Sequence, residues 1–430
     1  MKTLCPTDPA FHDKDLSVFE KPVLGSLPPF GKQMRSAFAL NPDCLFMNGA
    51  SVGSLPKYVV ESFEYYSRCS EYNPDKFLDY DMRPLFYATL ERINPYVGCK
   101  DFSQLTFCPN GSNALNTVLR SLDFDKGDAI VRFSTTYGGC YNAISYVCDR
   151  TGATPVDIPI NLPCSNQEIL DGAKAAIERI ACNPDLKLKF AVVDMISSIP
   201  GMVLPYKKLV EMLKEVGALV FLDGAHALGQ IDINIDESDC DFFTTNTHKW
   251  FYSKRGSGLL YVAKKYHNII QPLTISWAYK PSQGWNEAFF WQGTNDYSAY
   301  LSINAAIDFV EQAGGIQKIQ SYGHNLAIEA GALLSELYGF EPISDALNEE
   351  QVGSMVNVKL PLQAGNPRHD KVGEILSQVL VTKKRSSGYA FRHNGAWWIR
   401  LCAMIYLEKE DFDEFGKLLT NTIDELLAES

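Results

Sequence analysis

From Asn110 to Val262 the chain alternates short apolar runs with stretches of helical periodicity, and nothing else in it limits the fold as tightly. Asp128–Phe133, Thr154–Ile158, Phe190–Asp194, Ala218–Leu222, Phe242–Thr245 and Gly258–Val262 read as strands. Between them, Ala114–Leu122, the segment after Tyr137-Gly138-Gly139, Asn166–Ala181 and Tyr206–Val216 repeat apolar residues at helical spacing. Strands and helices succeeding one another at these intervals predict a largely parallel sheet with right-handed crossovers. The last two strands leave room for one antiparallel edge.

The flanks read differently. Residues 1–40 are rich in proline and charge, with Pro22, Pro28 and Pro29 interrupting regular structure, and are expected to form an arm. Asn48-Gly49-Ala50-Ser51-Val52-Gly53 is a small-residue loop that a ligand could approach closely, and Pro56 opens a helix reaching about Cys69. Beyond residue 265, Pro281–Gly284 reads as a loop, and helices are expected over Ser298–Ala313, Ile316–Leu337, Asp370–Leu380 and Asp411–Leu427. Strand-like runs at Met355–Leu360 and Trp397–Leu401 lie among them. This divides the chain into an arm (1–40), a large α/β domain (41–310) and a small α+β C-terminal domain (311–430), against which the N-terminal segment is expected to pack.

With 430 residues, 46% hydrophobic and 21% charged, the composition is that of an ordinary globular protein with ample core. A net charge of -12 supplies no basic excess to neutralise phosphates, so neither nucleic acid nor an anionic membrane is the expected partner. No apolar segment is long enough to predict a membrane span, and charges at Asp13-Lys14-Asp15 precede any long apolar run, against an ordinary signal peptide. The eleven cysteines form no Cys-x-x-Cys pair or metal-ligand spacing, so no metal site is expected; most read as buried reduced thiols of a cytoplasmic protein.

Asp194, Asp223 and Lys249 all fall at or just past the C-terminal ends of predicted strands, where open α/β sheets place ligand crevices. His226 and His248 each lie within three residues of one of them. Gly111-Ser112-Asn113 precedes a helix, an arrangement that can hold an anion through backbone amides and hydroxyls but that is more often a plain cap. An acid at one strand end and a lysine just past another suit pyridoxal phosphate, whose pyridine nitrogen needs an anionic partner and whose aldehyde takes an amine.

Four stretches carry a family resemblance: Phe221-Leu222-Asp223-Gly224-Ala225-His226-Ala227-Leu228-Gly229, Asn246-Thr247-His248-Lys249-Trp250, Trp291-Gln292-Gly293-Thr294-Asn295-Asp296 and Ile399-Arg400-Leu401-Cys402. Over roughly residues 40–425 the chain resembles the class V aminotransferase superfamily of fold type I pyridoxal phosphate enzymes, within it the isopenicillin N epimerase-like branch that includes hercynylcysteine sulfoxide lyases. The resemblance implies that Lys249 forms the imine with the cofactor, Asp223 pairs with its pyridinium nitrogen and His226 lies near its phenolic oxygen. Tyr137 matches the aromatic position stacked on the ring. Gly111, Ser112, Asn246 and His248 match the phosphate site, and Asp194 and Ser197 join the cofactor-binding set. Gly293-Thr294 matches a loop that reaches the phosphate across a homodimer interface, giving shared active sites. Arg400 matches the arginine that grips an amino-acid α-carboxylate, with Asn48 and Asn295 on the substrate side. Met195 and Asn295 depart from residues common in the family, His and a more basic residue respectively, and Asn48-Gly49-Ala50-Ser51 lacks a histidine often found near that loop.

The resemblance implies chemistry at Cα and Cβ of an amino acid. The leading expectation is a carbon–sulfur β-lyase acting on a cysteine-derived conjugate. The alternatives are an amino-acid epimerase, a substitution or cyclisation enzyme of secondary metabolism, or an aminotransferase. A persulfide-forming desulfurase needs a mobile cysteine near the substrate, and none occurs between Cys240 and Cys402. Trp277-Ala278-Tyr279, Trp285 and Phe289-Phe290-Trp291 read either as a pocket for a bulky substituent or as interface packing.

Overall fold

The computed structural model describes residues 18–280, 284–343 and 346–429; most of the expected loop at 281–284 and the first 17 residues of the arm lie outside them. Seven strands form the large sheet among the described residues: β1 (Leu105–Cys108), β2 (Asp128–Phe133), β3 (Thr154–Ile158), β4 (Lys187–Asp194), β5 (Leu219–Asp223), β6 (Phe242–Thr245) and β7 (Gly258–Val262). Their order is β1-β7-β6-β5-β4-β2-β3. All neighbouring pairs from β6 to β3 are parallel, and β7 runs antiparallel to both β6 and β1. The antiparallel strand is therefore interior and not at the edge as the sequence predicts, because β1, a four-residue run buried throughout and so without alternation, pairs beyond it.

Burial along these strands follows the pleat. Ile130, Phe190, Val192, Phe221 and Phe242 belong to one apolar cluster, while Ala129, Val131, Ala191, Val193, Val220, Leu222 and Phe243 belong to another. Neighbours along a strand thus serve opposite faces, and the sheet is covered on both sides. Each phenylalanine removed from water contributes about 1.5–3 kcal/mol.

The longer helices among the described residues are α1 (Lys57–Tyr72), α2 (Met82–Ile93), α3 (Gly111–Ser121), α4 (Gly138–Thr151), α5 (Asn166–Ala181), α6 (Tyr206–Glu215), α7 (Ser298–Gln312), α8 (Ile316–Tyr338), α9 (Pro367–Lys383) and α10 (Lys409–Glu429). A capping box starts α5, with Ser165 Oγ accepting from the Glu168 amide at 3.2 Å and Glu168 Oε2 accepting from the Ser165 amide at 2.8 Å. Helix α3 begins three residues before the expected Ala114, because Asn110 Oδ1 accepts from the Asn113 amide at 2.9 Å and draws Gly111-Ser112-Asn113 into the first turn.

A second sheet, β8 (Met355–Lys359), β9 (Tyr389–His393) and β10 (Ala396–Cys402), is antiparallel in the order β9-β10-β8. The N-terminal segment is tied to this region. Leu45–Phe46 pairs in parallel with Ser386–Ser387, the Gly31 amide donates to the Ile405 carbonyl at 2.9 Å, and Arg35 bonds Asp411 at 2.9 Å. Besides β1, helix α2 and strand β9 lie outside the expectations above. Phe86 of α2 packs edge-on against Phe107 and Phe290, whereas β9 is a half-exposed strand whose polar residues hide its pattern. Among the described residues no helix is long and apolar enough to cross a membrane, and the ten described cysteines are all free, seven of them buried.

Candidate active site

The parallel register sets Asp194 at the end of β4 directly beside Asp223 at the end of β5, and β6 runs into a one-turn helix, Thr247–Trp250, that carries Lys249. All three line a cavity of about 440 Å³ at this sheet edge. Gly111, Ser112, Tyr137, His226, Asn246, His248 and Arg400 line it too, so the structure brings most of the expected residues into one space.

Both carboxylates are buried. Asp223 Oδ1 accepts from the Ala225 amide at 2.8 Å, and the Cys140 thiol donates to Oδ2 at 3.6 Å. Thr136 donates to Asp194 Oδ2 at 3.2 Å. Burial raises the pKa of Asp223, with the Ala225 amide and Lys249 opposing. It raises Asp194 further, because the Asp223 charge adds to the burial.

Lys249 Nζ lies 3.0 Å from His226 Nε2, and the Trp250 indole donates to His226 Nδ1 at 3.4 Å. An indole N–H can only donate, so these partners assign the imidazole proton to Nε2, pointing at the Lys249 amine. That arrangement asks for a neutral amine. Accordingly, burial lowers Lys249 to about 8, Asp223 opposing and Arg400 adding to the effect. Burial, then Lys249 and Arg400, holds His226 well below its usual range, and burial takes His248 down to about 4 while its Nδ1–H donates to the Ser257 carbonyl at 2.7 Å.

Donors at the start of α3 are mostly spent within the protein. The Gly111 amide bonds Asn246 Oδ1 at 2.9 Å, the Asn113 amide bonds Asn110 Oδ1, and the Ala114 amide bonds the Asn110 carbonyl. Gly111 and Asn246 therefore lock the helix start to β6. The Ser112 amide and hydroxyl, with no bonded partner among the described residues, are left facing the cavity at the positive end of the helix.

Arg400 of β10 forms the opposite wall. It is 1% exposed, and its Nη1 donates to the Ser198 carbonyl at 2.6 Å and to Ser198 Oγ at 3.3 Å. Its Nη2 donates to Asn48 Oδ1 at 2.9 Å and Ser51 Oγ at 2.8 Å, and its Nε is unpaired. All of these partners are neutral, so a buried guanidinium faces the cavity with no carboxylate bonded to it among the described residues. The loop carrying Asn48 and Ser51 sits hard on the lysine segment. At Gly53, with φ +72°, a Cβ would lie 1.8 Å from the His248 carbonyl oxygen, so only glycine fits.

Several expected residues are placed elsewhere. Ser197 turns away, its hydroxyl donating to the Pro200 carbonyl at 2.6 Å, and Ser198 takes the wall position. Met195 is buried behind the wall while Ile196 lines it, and Asn48 reaches the site only through Arg400. Thr294 and Asn295 are exposed on the loop before α7 and do not line this chain's own cavity. Conversely, Cys140, Ile196, Ser198, Ile199 and Tyr389 line it without having been singled out; the only sequence signal was the position of Cys140 next to Gly138-Gly139.

Residues 46–415 match the family model described as aminotransferase class-V. The chain is 27% identical to the L-cysteine desulfhydrase-like protein lolT1 of Epichloe uncinata, over 93% of this chain and 97% of that protein. It is 26% identical to the hercynylcysteine sulfoxide lyase of Schizosaccharomyces pombe, over 91% and 97%. Among solved structures, a C-DES mutant with glycine covalently linked to the PLP cofactor superposes with a TM-score of 0.74 at 18% identity, covering 91% of this chain and 99% of that one. The chain belongs to the class-V aminotransferase family and has the fold of the type I pyridoxal phosphate enzymes.

Proposed function

We propose that this protein is a pyridoxal phosphate-dependent carbon–sulfur β-lyase acting on a cysteine-derived amino acid. The observation that carries the reading is the meeting, in one cavity, of an amine brought down to about 8, a buried carboxylate and a buried guanidinium, neither of the last two bonded to an opposite charge among the described residues. Each lacks the partner that a cofactor or an amino acid would bring.

The residues fit the cofactor. Lys249 offers an amine whose neutral form is reached near pH 8, Asp223 a carboxylate for the ring nitrogen, and Ser112 unspent donors for the phosphate. Tyr137, half-exposed at the start of α4, offers a ring face. When bound, the cofactor withdraws the electrons released at Cα. Arg400 holds the α-carboxylate, backed by Ser198, Asn48 and Ser51, and Lys249 Nζ takes the Cα proton. Loss of that proton and breakage of the Cβ–S bond release the sulfur group, which departs with a proton. Addition of one water to the remainder gives pyruvate and ammonium.

The names of the lyase and desulfhydrase-like relatives support elimination as the fate of the substrate. A persulfide route has little support from the thiols. Cys402 lies behind Arg400, accepting from the Ala50 amide, and Cys140 is fixed against Asp223, where burial and that carboxylate raise it well above the usual thiol range. The reading is tested by supplying cysteine and S-substituted cysteines to the cofactor-loaded protein and measuring pyruvate. Exchange of the Cα proton with solvent deuterium without pyruvate would identify an epimerase instead, and an oxo acid with the carbon skeleton intact an aminotransferase.

A further inference from the structure

Two of the motif stretches meet at Trp250. In the turn after β5 the Ala227 amide donates to the Gly224 carbonyl at 2.8 Å and the Gln230 amide to the Ala227 carbonyl at 2.9 Å. Gln230 Nε2 donates to the His226 carbonyl at 2.7 Å, so the backbone under the imidazole is held. Gly229 of the same turn has φ +95°, and a Cβ there would lie 2.4 Å from the Trp250 carbonyl oxygen and 3.0 Å from Trp250 Cβ. Only glycine lets the tryptophan sit this close. The indole N–H of Trp250 bonds only His226 Nδ1 among the described residues, while His226 Nε2 lies 3.0 Å from Lys249 Nζ. Asp223, His248, Arg400, Cys140 and Cys402 are the other charged or titratable groups around the histidine and the lysine, and none of them bonds an imidazole nitrogen. Gly229, His226 and Trp250 are all buried within one chain.

We infer that Trp250 is a positioning residue: by occupying His226 Nδ1 it confines the imidazole proton to Nε2, and so denies Lys249 an acceptor for its ammonium form. A neutral imidazole carries one proton, and an indole N–H cannot accept. With Trp250 in place that proton lies on the nitrogen nearer the lysine, which donates toward the amine. Without the indole N–H the proton is free to move to Nδ1, and Nε2 becomes an acceptor for the ammonium. A hydrogen bond made to the charged form favours that form. The tryptophan therefore works in the same direction as burial, which already brings Lys249 down. This deepens the cofactor reading above and rests on it, since the neutral amine is the form that joins an aldehyde. It also gives the glycine that ends the Asp223–Gly229 stretch a chemical reason.

The test compares the wild-type protein with Trp250→Phe and with a protein carrying benzothienylalanine in place of Trp250, which keeps the shape of the indole and lacks only the N–H. Nitrogen NMR of the cofactor-free protein, isotopically labelled at histidine and with His226→Gln to identify the resonances, reads the tautomer. We expect Nε2–H in the wild type and a shift toward Nδ1–H in both variants. Stopped-flow absorbance then follows uptake of pyridoxal phosphate. The midpoint of its pH profile, at about 8 in the wild type, should rise by at least about one unit in the variants, slowing uptake about tenfold at pH 7 while the rates converge above about pH 10. An Nδ1–H tautomer in the wild type overturns the assignment, as does a tautomer that benzothienylalanine leaves unchanged, the result of a purely packing role. A changed tautomer with an unmoved midpoint overturns the link to Lys249. A wild-type protein with the Nε2–H tautomer that takes up no pyridoxal phosphate overturns the cofactor reading and leaves the hold of Trp250 on His226 standing.

Discussion

On the sheet side of the cavity, Asp194, Asp223 and Lys249 come from successive strand ends whose spacing is set by parallel pairing. The opposite side joins Asn48 and Ser51 to Tyr389 and Arg400, with Asn48 and Arg400 352 positions apart in the chain. One wall is a product of local succession and the other of closure between distant segments. On the proposed function they also divide the work: the first would meet the cofactor with charges shifted by burial, and the second would present a positive charge to the substrate. Cofactor binding and substrate recognition should consequently respond separately to mutation.

The largest effect that would break this division is at Lys249. Lys249→Ala should lower turnover by at least about a thousandfold, the scale of losing a positioned base, and should abolish the absorption of the imine; retained turnover with an unchanged spectrum would remove Lys249 from the cofactor wall. Arg400→Lys belongs to the other wall. It should raise KM by about 10–100-fold, as expected for one charged hydrogen-bonding pair worth about 1.5–3 kcal/mol, while leaving the spectrum intact. A spectral loss there would show that the walls are not separable.

The pH dependence sharpens the sheet side. Lys249 in the cofactor-free protein titrates at about 8, and only the neutral amine attacks an aldehyde. The rate of cofactor uptake should therefore rise as pH increases through 8, by about tenfold between pH 7 and 9, and level off above. A rate falling over that range, in stopped-flow absorbance, would contradict the depressed amine. The smallest effect is expected from Ser51→Ala, which removes one of two acceptors on Arg400 Nη2; a loss of about 0.5–1.5 kcal/mol should appear as a several-fold rise in KM with kcat unchanged.

The same contrast explains what was legible in the sequence. Asp223, Lys249 and Asp194 could be found because apolar strands announce their own ends, and the C-terminal ends of parallel strands share an edge. Ser197 and Ser198 show the limit of that reasoning. Past the end of β4 the chain leaves the pleat, and composition gives no sign of which serine turns inward. Tyr389 and Ser51 were invisible for another reason: their positions depend on β9 pairing with β10 and on the N-terminal loop docking 349 residues from its partner. Strand β9, with Arg392 and His393 beside buried Phe391, carries too weak an alternation to be read unaided. Thr294 and Asn295 carried a family pattern, yet they lie on the exposed loop before α7, so any part they play would be in the site of a second copy.

The contact between Gly53 and the His248 carbonyl brings the two walls together at one point of backbone. Behind it, the loop from Asn48 to Gly53 holds Arg400, and ahead of it lies Lys249. A carboxylate drawn to Arg400 would compete for the guanidinium now bonded to Asn48 and Ser51 of that loop, and at Gly53 no side chain separates the loop from the lysine segment. Any such effect on cofactor affinity must be reciprocal: a dicarboxylate-free mimic such as a simple α-keto acid should tighten cofactor retention by the same factor by which the cofactor tightens its binding. The missing methyl group at one glycine thus leaves the substrate-side loop and the lysine segment in direct backbone contact, the route by which the two occupants would influence each other.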